Sequence, residues 1–110
     1  MPPAQADIGG MSTAAIRGMM EDGERVLAED VVEGPLGKPC PLVVTSRAFY
    51  LSAGGRYTRY PYARVRAATF DTHDIFIALE GQTVRLRYRP STHHSEALQA
   101  LRRQVALARL

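Results

Sequence analysis

A nine-residue stretch, LVVTSRAFY at positions 42–50, constrains the fold more than any other part of the chain. An apolar run, a polar pair and a second apolar run predict two strands joined by a tight turn at Ser46 and Arg47. Strand-like segments continue to position 89, and the longest helical pattern comes after them. Strands first and a helix last indicate an α+β domain.

Seven strands are predicted in all, at residues 25–33, 42–45, 48–52, 56–60, 63–70, 75–79 and 82–89. Alternation is clearest in the seventh, where Val84, Leu86 and Tyr88 alternate with arginines. One face of that strand therefore lies on a core and the other in water, as in antiparallel sheets.

The C-terminal segment predicts an amphipathic helix that begins after Pro90, with Ser91 or Thr92 as N-cap, and runs to about residue 108. Its apolar residues recur at i, i+3, i+7 and i+10 and form one stripe: Leu98, Leu101, Val105 and Ala108. We expect the seven strands to curl into a small antiparallel β-barrel that this helix covers.

The length of 110 residues indicates one domain. We expect residues 1–22 to be a flexible N-terminal segment, with a short helix at 12–22 as an alternative, and residues 23–110 to form the folded domain. No apolar run reaches the roughly 18 residues of a membrane span, and no signal peptide is evident. We expect a cytoplasmic protein, with peripheral attachment to the inner face of the membrane as the alternative.

Charge is distributed unevenly. Residues 1–33 carry two arginines against seven carboxylates, whereas residues 34–70 carry six basic residues and no acidic one. Such asymmetry marks a binding face for phosphate groups, or it is neutralised inside the fold. The second interpretation is favoured, with the acidic first strand beside the basic ones.

The basic residues of this central region are the candidate ligand-binding residues: Lys38, Arg47, Arg56, Arg59, Arg64 and Arg66. Between positions 56 and 66 they interleave with tyrosines. Such a mixture contacts phosphates and stacked bases, or anchors protein interfaces. A solvated face whose arginine stems cover apolar surface is the simpler interpretation.

Catalytic and metal-binding patterns are absent from the sequence. His73 lies in a polar stretch typical of an exposed turn, and neighbouring His93 and His94 point about 100° apart on a helix. Cys40, the one cysteine, forms neither an internal disulfide nor a zinc site and is interpreted as an unreactive thiol. We expect no enzyme activity, no cofactor and no metal.

The chain resembles the pleckstrin-homology-like (PH-like) superfamily, specifically its GRAM-like and bacterial PH-like branches, from about residue 23 to residue 107. Three segments carry the resemblance: GERVL at 23–27, LVVTSRAFY at 42–50 and YPYARV at 60–65. Phosphoinositide-binding members have several basic residues around the loop between strands one and two, where this chain offers only Lys38. The resemblance therefore implies an assembly or interaction module.

The sequence supports one main hypothesis and two alternatives. The main hypothesis is a non-catalytic PH-like module for protein–protein contact or self-association, through an exposed strand edge. The first alternative is peripheral binding to anionic lipid through an arginine-rich face. The second is binding of single-stranded nucleic acid.

Overall fold

The computed structural model of the protein describes residues 14–34, 37–88 and 95–109. These residues form one seven-stranded antiparallel sheet and a C-terminal helix. The strands are β1 (Val26–Glu33), β2 (Pro39–Thr45), β3 (Ala48–Ala53), β4 (Arg56–Pro61), β5 (Val65–Phe70), β6 (Asp74–Leu79) and β7 (Gln82–Arg87), and the helix is α1 (Glu96–Ala108). The predicted α+β class, with seven strands before a helix, is confirmed.

Some predicted boundaries are wrong. The fifth strand begins at Val65 because residues 62–64 form a 3₁₀ turn that carries the chain from β4 to β5. The helix begins at Glu96, since Ser95 Oγ accepts hydrogen bonds from the backbone N–H groups of Ala97 and Leu98 at 3.1 and 3.4 Å. The predicted caps at positions 91 and 92 lie outside the described residues.

The sheet is built from two antiparallel meanders in the order β4-β3-β2-β1-β7-β6-β5. A single residue pair, Glu33 with Arg87, joins β1 to β7 within the described part of the chain. The sheet that we expected to curl into a small barrel is not closed: β4 and β5 lie at opposite ends of it, and no described residues of the two strands form a ladder. Helix α1 packs its buried residues into the main core and contacts β1, β2, β5 and the 3₁₀ turn.

Strand β2 is buried on both faces, which explains why its sequence is a continuous apolar run. Leu42 and Val44 belong to the main core with β6, β7 and α1. Val43 points the other way and packs in a smaller cluster on the outer face of the sheet.

The chain before β1 covers this outer face. Residues 14–19 form a short helical turn, and the Ile16 side chain is 0% exposed against Val43, Ala48 and Tyr50. The described residues before the expected boundary at position 23 therefore contribute apolar packing to the domain.

Ile16→Ala tests this packing. Removing a fully buried isoleucine side chain costs about 2–5 kcal/mol of unfolding free energy, a large share of a small domain's stability. Urea denaturation measures the loss. Met19→Ala is the control, because Met19 is 39% exposed and its truncation changes the stability by less than about 0.5 kcal/mol. Equal stabilities of both variants and the parent would contradict the packing role of Ile16.

Candidate functional site

The six basic residues named from the sequence lie in five separate places on the fold. Lys38 precedes β2, and Arg56 begins β4 after the hairpin turn at Gly54 and Gly55, so both lie at one end of the first meander. Arg47 lies in the turn between β2 and β3, and Arg59 lies on the outer face of β4. Arg64 lies in the 3₁₀ turn, and Arg66 lies in β5. The sequence therefore does not fold into one arginine-rich face.

Arg59 is held in the most elaborate polar network among the described residues. Its Nη2 lies 2.8 Å from Glu24 Oε1, and its Nε donates to the Tyr50 hydroxyl at 2.9 Å. The Glu24 side chain is 0% exposed and that of Arg59 is 16% exposed. The Tyr50 hydroxyl in turn donates to Glu24 Oε2 at 2.7 Å. The guanidinium is thus occupied inside the fold.

Thr45 ties the same carboxylate to the turn between β2 and β3. Its Oγ1 lies 2.5 Å from Glu24 Oε2 and accepts hydrogen bonds from the backbone N–H groups of Arg47 and Ala48 at 3.2 and 3.1 Å. The turn from Thr45 to Arg47 lies within the LVVTSRAFY segment that supports the PH-like resemblance. It is therefore organised around a buried acid contributed from outside the strands.

The donors around Glu24 determine its titration. Burial by itself raises the pKa of a carboxylate, but hydrogen bonds from Thr45, the Glu21 backbone N–H, Arg59 and Tyr50 outweigh it and lower the pKa of Glu24 from 4.5 to about 2. Burial together with the bond to Glu24 raises the pKa of Tyr50 to about 12. Both groups keep their charge states across the physiological range, so the network is a permanent ion pair and not a proton-transfer site.

Two other candidate arginines have acidic partners at the surface. Arg47 Nη1 lies 3.7 Å from Glu21 Oε1, and Arg66 Nη2 lies 3.2 Å from Glu80 Oε2. All four side chains are more than half exposed. Exposed pairs contribute about 0–1 kcal/mol, but they reduce the net charge that a ligand meets.

A third charged group marks the junction of the two meanders. Asp74 Oδ1 accepts hydrogen bonds from Arg85 Nη2 at 3.2 Å and Arg87 Nε at 3.1 Å, while Arg87 Nη1 lies 3.9 Å from Glu33 Oε1. Slight desolvation opposes the shift, but these two arginines lower the pKa of Asp74. The contrast between residues 1–33 and 34–70 is balanced in part inside the fold by the pairs of Glu21 with Arg47 and of Glu24 with Arg59. These two acids come from the segment before β1 and not from the first strand.

Lys38 and Cys40 line a pocket of about 210 Å³ between the β1–β2 connection and the β3–β4 hairpin. Cys40 Sγ donates to the Ser52 carbonyl at 3.1 Å, and the residue is 5% exposed. Burial raises the pKa of its thiol, so this cysteine has the features of an inert side chain.

The tyrosines of the interleaved stretch are largely used by the core. The Tyr60 ring stacks on Phe49 with centroids 5.0 Å apart, and the buried Tyr62 ring stacks on the same phenylalanine at 6.3 Å. Tyr62 also donates its hydroxyl proton to the Thr45 carbonyl at 2.7 Å. The two rings most central to the nucleic-acid hypothesis therefore stabilise the fold.

Glu24, Thr45 and Tyr50 were absent from the candidate residues because no local pattern connects them. Glu24 lies 21, 26 and 35 positions before Thr45, Tyr50 and Arg59. The only available signal is the contrast between the acid-rich residues 1–33 and the basic residues 34–70, and it does not single out Glu24.

Among residues 14–34, 37–88 and 95–109, no three histidine, cysteine, aspartate or glutamate side chains come close enough to hold a metal ion. His73 lies in the turn between β5 and β6, as expected. None of the described helices combines the length and the hydropathy that a membrane crossing needs.

Acid titration tests the Glu24 network. Because the pKa of Glu24 is lower in the folded protein, its stabilising effect is complete above about pH 4.5 and is lost as the pH falls towards 2. Chemical denaturation across this range measures the loss.

Glu24→Gln leaves Arg59 without its carboxylate and lowers the unfolding free energy near neutral pH by about 3–5 kcal/mol, and the unfolding free energy of this variant changes less with acid pH. Glu80→Gln, which removes only the exposed pair with Arg66, is the control; identical acid profiles for both variants and the parent would contradict this role of Glu24.

No protein-family model and no curated protein matches the chain at a significant level. Solved structures do match. Inner Membrane Complex Sub-compartment Protein 3 from Toxoplasma gondii has a TM-score of 0.56 at 12% identity, over 74% of this chain and 77% of its own. A DUF1696 family protein with a pleckstrin-homology domain from Shewanella loihica PV-4 has a TM-score of 0.55 at 15% identity, over 92% and 96%.

The hSac2 domain of the human phosphoinositide phosphatase Sac2 also matches, with a TM-score of 0.55 at 10% identity over 99% of this chain and 85% of the domain. At these identities the similarity concerns the fold alone, and the GRAM-like branch stays a prediction. Together with the seven-stranded antiparallel sheet and its C-terminal helix, the matches show that the chain has a PH-like fold.

Proposed function

We propose that the chain is a non-catalytic binding module that makes protein–protein contacts, including self-association, through the free edge of β5. The observation that carries the proposal is the place of β5 at the end of the sheet, where it pairs with β6 alone among the described strands. A strand edge exposes backbone donors and acceptors that another chain can satisfy.

The composition of β5 leaves its edge accessible. Natural edges are protected by charges, proline or bulges. Strand β4, at the other end of the sheet, has Arg56 at its first position and Pro61 at its last. Strand β5 has no proline, and its one charge, Arg66, is paired with a glutamate; its main protection is the irregularity near its first residue.

The register of β5 identifies which backbone groups face outward. The bond from the Asp71 N–H to the Asp74 carbonyl closes the hairpin with β6. Counting back in the alternating pattern of an antiparallel ladder, Ala67 and Thr69 bond to β6, whereas Ala68 and Phe70 direct their N–H groups away from it. Ala68→Pro therefore removes an outward donor without removing a ladder bond to β6.

Light scattering after size-exclusion chromatography tests the edge. We expect the parent to have a mass above that of the monomer or, as a monomer, to retain a protein partner from its native host. Ala68→Pro lowers either association at least tenfold, because it removes a backbone hydrogen bond and places a ring at the contact. Ala68→Ser, which keeps the N–H, is the matched control. A monomeric parent with equal partner retention by both variants would contradict the proposal.

Anionic lipid is the second candidate, and the position of Lys38 and Arg56 favours it. Both are exposed at the same end of the first meander, and neither has an ion pair with another described residue. Lys38 also lines the pocket that contains Cys40. Each contributes about 1 kcal/mol near an anionic surface, so two cations predict weak, salt-sensitive attachment.

Co-sedimentation with phosphatidylserine and phosphatidylcholine vesicles at low and high salt tests this alternative. We expect salt-sensitive binding to the phosphatidylserine vesicles alone, which Lys38→Glu combined with Arg56→Glu abolishes because the charge at this end is reversed. Arg103→Glu on α1 is the control and keeps binding. Binding that survives the double change would exclude this surface.

A further inference from the structure

A cleft of about 180 Å³ lies beside β4, where the first meander faces the turn between β6 and β7. Its lining comes from β4, from the 3₁₀ turn and from the β6–β7 turn: Thr58, Arg59, Tyr60, Pro61, Arg64, Leu79, Glu80 and Gln82. The cleft exists because the barrel is open on this side. Its lining includes no residue of β5 and none of the Lys38 pocket.

The cleft combines an apolar base with polar walls. Leu79 is 8% exposed and belongs to the core, and the Tyr60 ring is held in place by its stacking on Phe49. Thr58 and Gln82 bring a hydroxyl and an amide to the same cleft. A site of this size and lining fits one polar side chain with an aliphatic stem.

The charges of the cleft leave one cation without a partner. Arg59 is bound to Glu24, and Glu80 is bound to Arg66 at 3.2 Å. Arg64 is exposed and has no ion pair with any other residue among those described. Its guanidinium carries five donors that favour a planar, bidentate carboxylate.

The backbone of β4 supplies a further group on this side. The two-residue turn at Gly54 and Gly55, both with positive φ, closes the β3–β4 hairpin at the Ala53–Arg56 pair. In the alternation that follows, the backbone N–H and C=O groups of Arg59 point away from β3. An extended segment beside β4 would thus meet one backbone donor and one acceptor next to the Arg64 guanidinium.

From these observations we propose that the cleft binds a glutamate or aspartate side chain of an extended acidic segment in a protein partner, with Arg64 as its charge partner. This inference rests on the proposed protein-binding function and specifies the chemistry of the partner. Arg64 supplies the charge-assisted hydrogen bonds, Arg59 binds the segment's backbone, and Tyr60 with Leu79 contacts the stem of the acidic side chain.

Fluorescence anisotropy with a short labelled peptide of alternating glutamate and valine tests the proposal on the full chain. A peptide with glutamine in place of glutamate is the comparison. We expect the glutamate peptide to bind at least tenfold more tightly, and Arg64→Gln to reduce its affinity about tenfold or more, because a hydrogen bond to a charged group is lost. Arg103→Gln on α1 is the charge-matched control and leaves the affinity unchanged.

Glu80→Gln provides an independent test in the opposite direction. It removes the acidic group of the cleft and releases Arg66, so the affinity for the glutamate peptide rises. Equal binding of the two peptides, an Arg64→Gln affinity equal to that of the parent, or no peptide binding at all would overturn the acidic-segment proposal. Arg64-dependent binding to phosphatidylserine vesicles without peptide binding would overturn it in favour of a lipid site.

Failure of this inference is distinguishable from failure of the proposed function. The β5 variant, Ala68→Pro, tests association through the sheet edge, whereas Arg64→Gln tests the cleft. Loss of association in Ala68→Pro with no peptide binding would reject the cleft and leave the module's protein-binding role in place.

Discussion

A buried carboxylate, that of Glu24, holds the segment before β1 against the outer face of the sheet. Transfer of an ionised carboxylate from water is costly unless donors replace the lost hydration. Thr45, Tyr50, Arg59 and a backbone N–H supply those donors. The contact with Thr45 organises the turn between β2 and β3. The contact with Arg59 fixes the position of β4 relative to β2 and β3.

This network also decides which cations remain for binding. Arg59 would be the central charge of an arginine-rich face, but its guanidinium is directed into the fold. Arg47 and Arg66 meet glutamates at the surface. Of the six candidate residues, those without an ion pair among the described residues form a divided pattern, with Lys38 and Arg56 at one end of the sheet and Arg64 at the open side. The divided pattern favours several weak polar contacts with proteins over one strong phosphate site.

The open sheet has a related consequence. Because β1 and β7 share a single pair, the two meanders separate, and α1 supplies the apolar surface that a closed barrel would obtain from its own strands. The separation leaves β4 and β5 as edges and creates the cleft beside β4. The proposed contacts therefore use the features by which this fold departs from a closed barrel.

Local patterns predicted the strands well because period-two alternation and turn residues are properties of neighbouring positions. The continuous apolar run at residues 42–45 predicted a strand, and its burial on both faces explains the lack of alternation. Glu24 was unpredictable for the opposite reason, since its partners lie 21 to 35 positions away. Arg64 was named among the cations, but only the three-dimensional arrangement separates it from arginines that are already paired.

A double-mutant cycle on Glu24 and Arg59 measures the energetic coupling between the two side chains of the buried ion pair. Unfolding free energies would be measured for the parent, Glu24→Gln, Arg59→Gln and the combined variant. The account predicts a coupling of about 1.5–3 kcal/mol, because either single change leaves a buried charged partner unsatisfied and the second change removes that partner. Additive effects, within about 0.5 kcal/mol, would show that the two side chains stabilise the fold independently and would contradict the account.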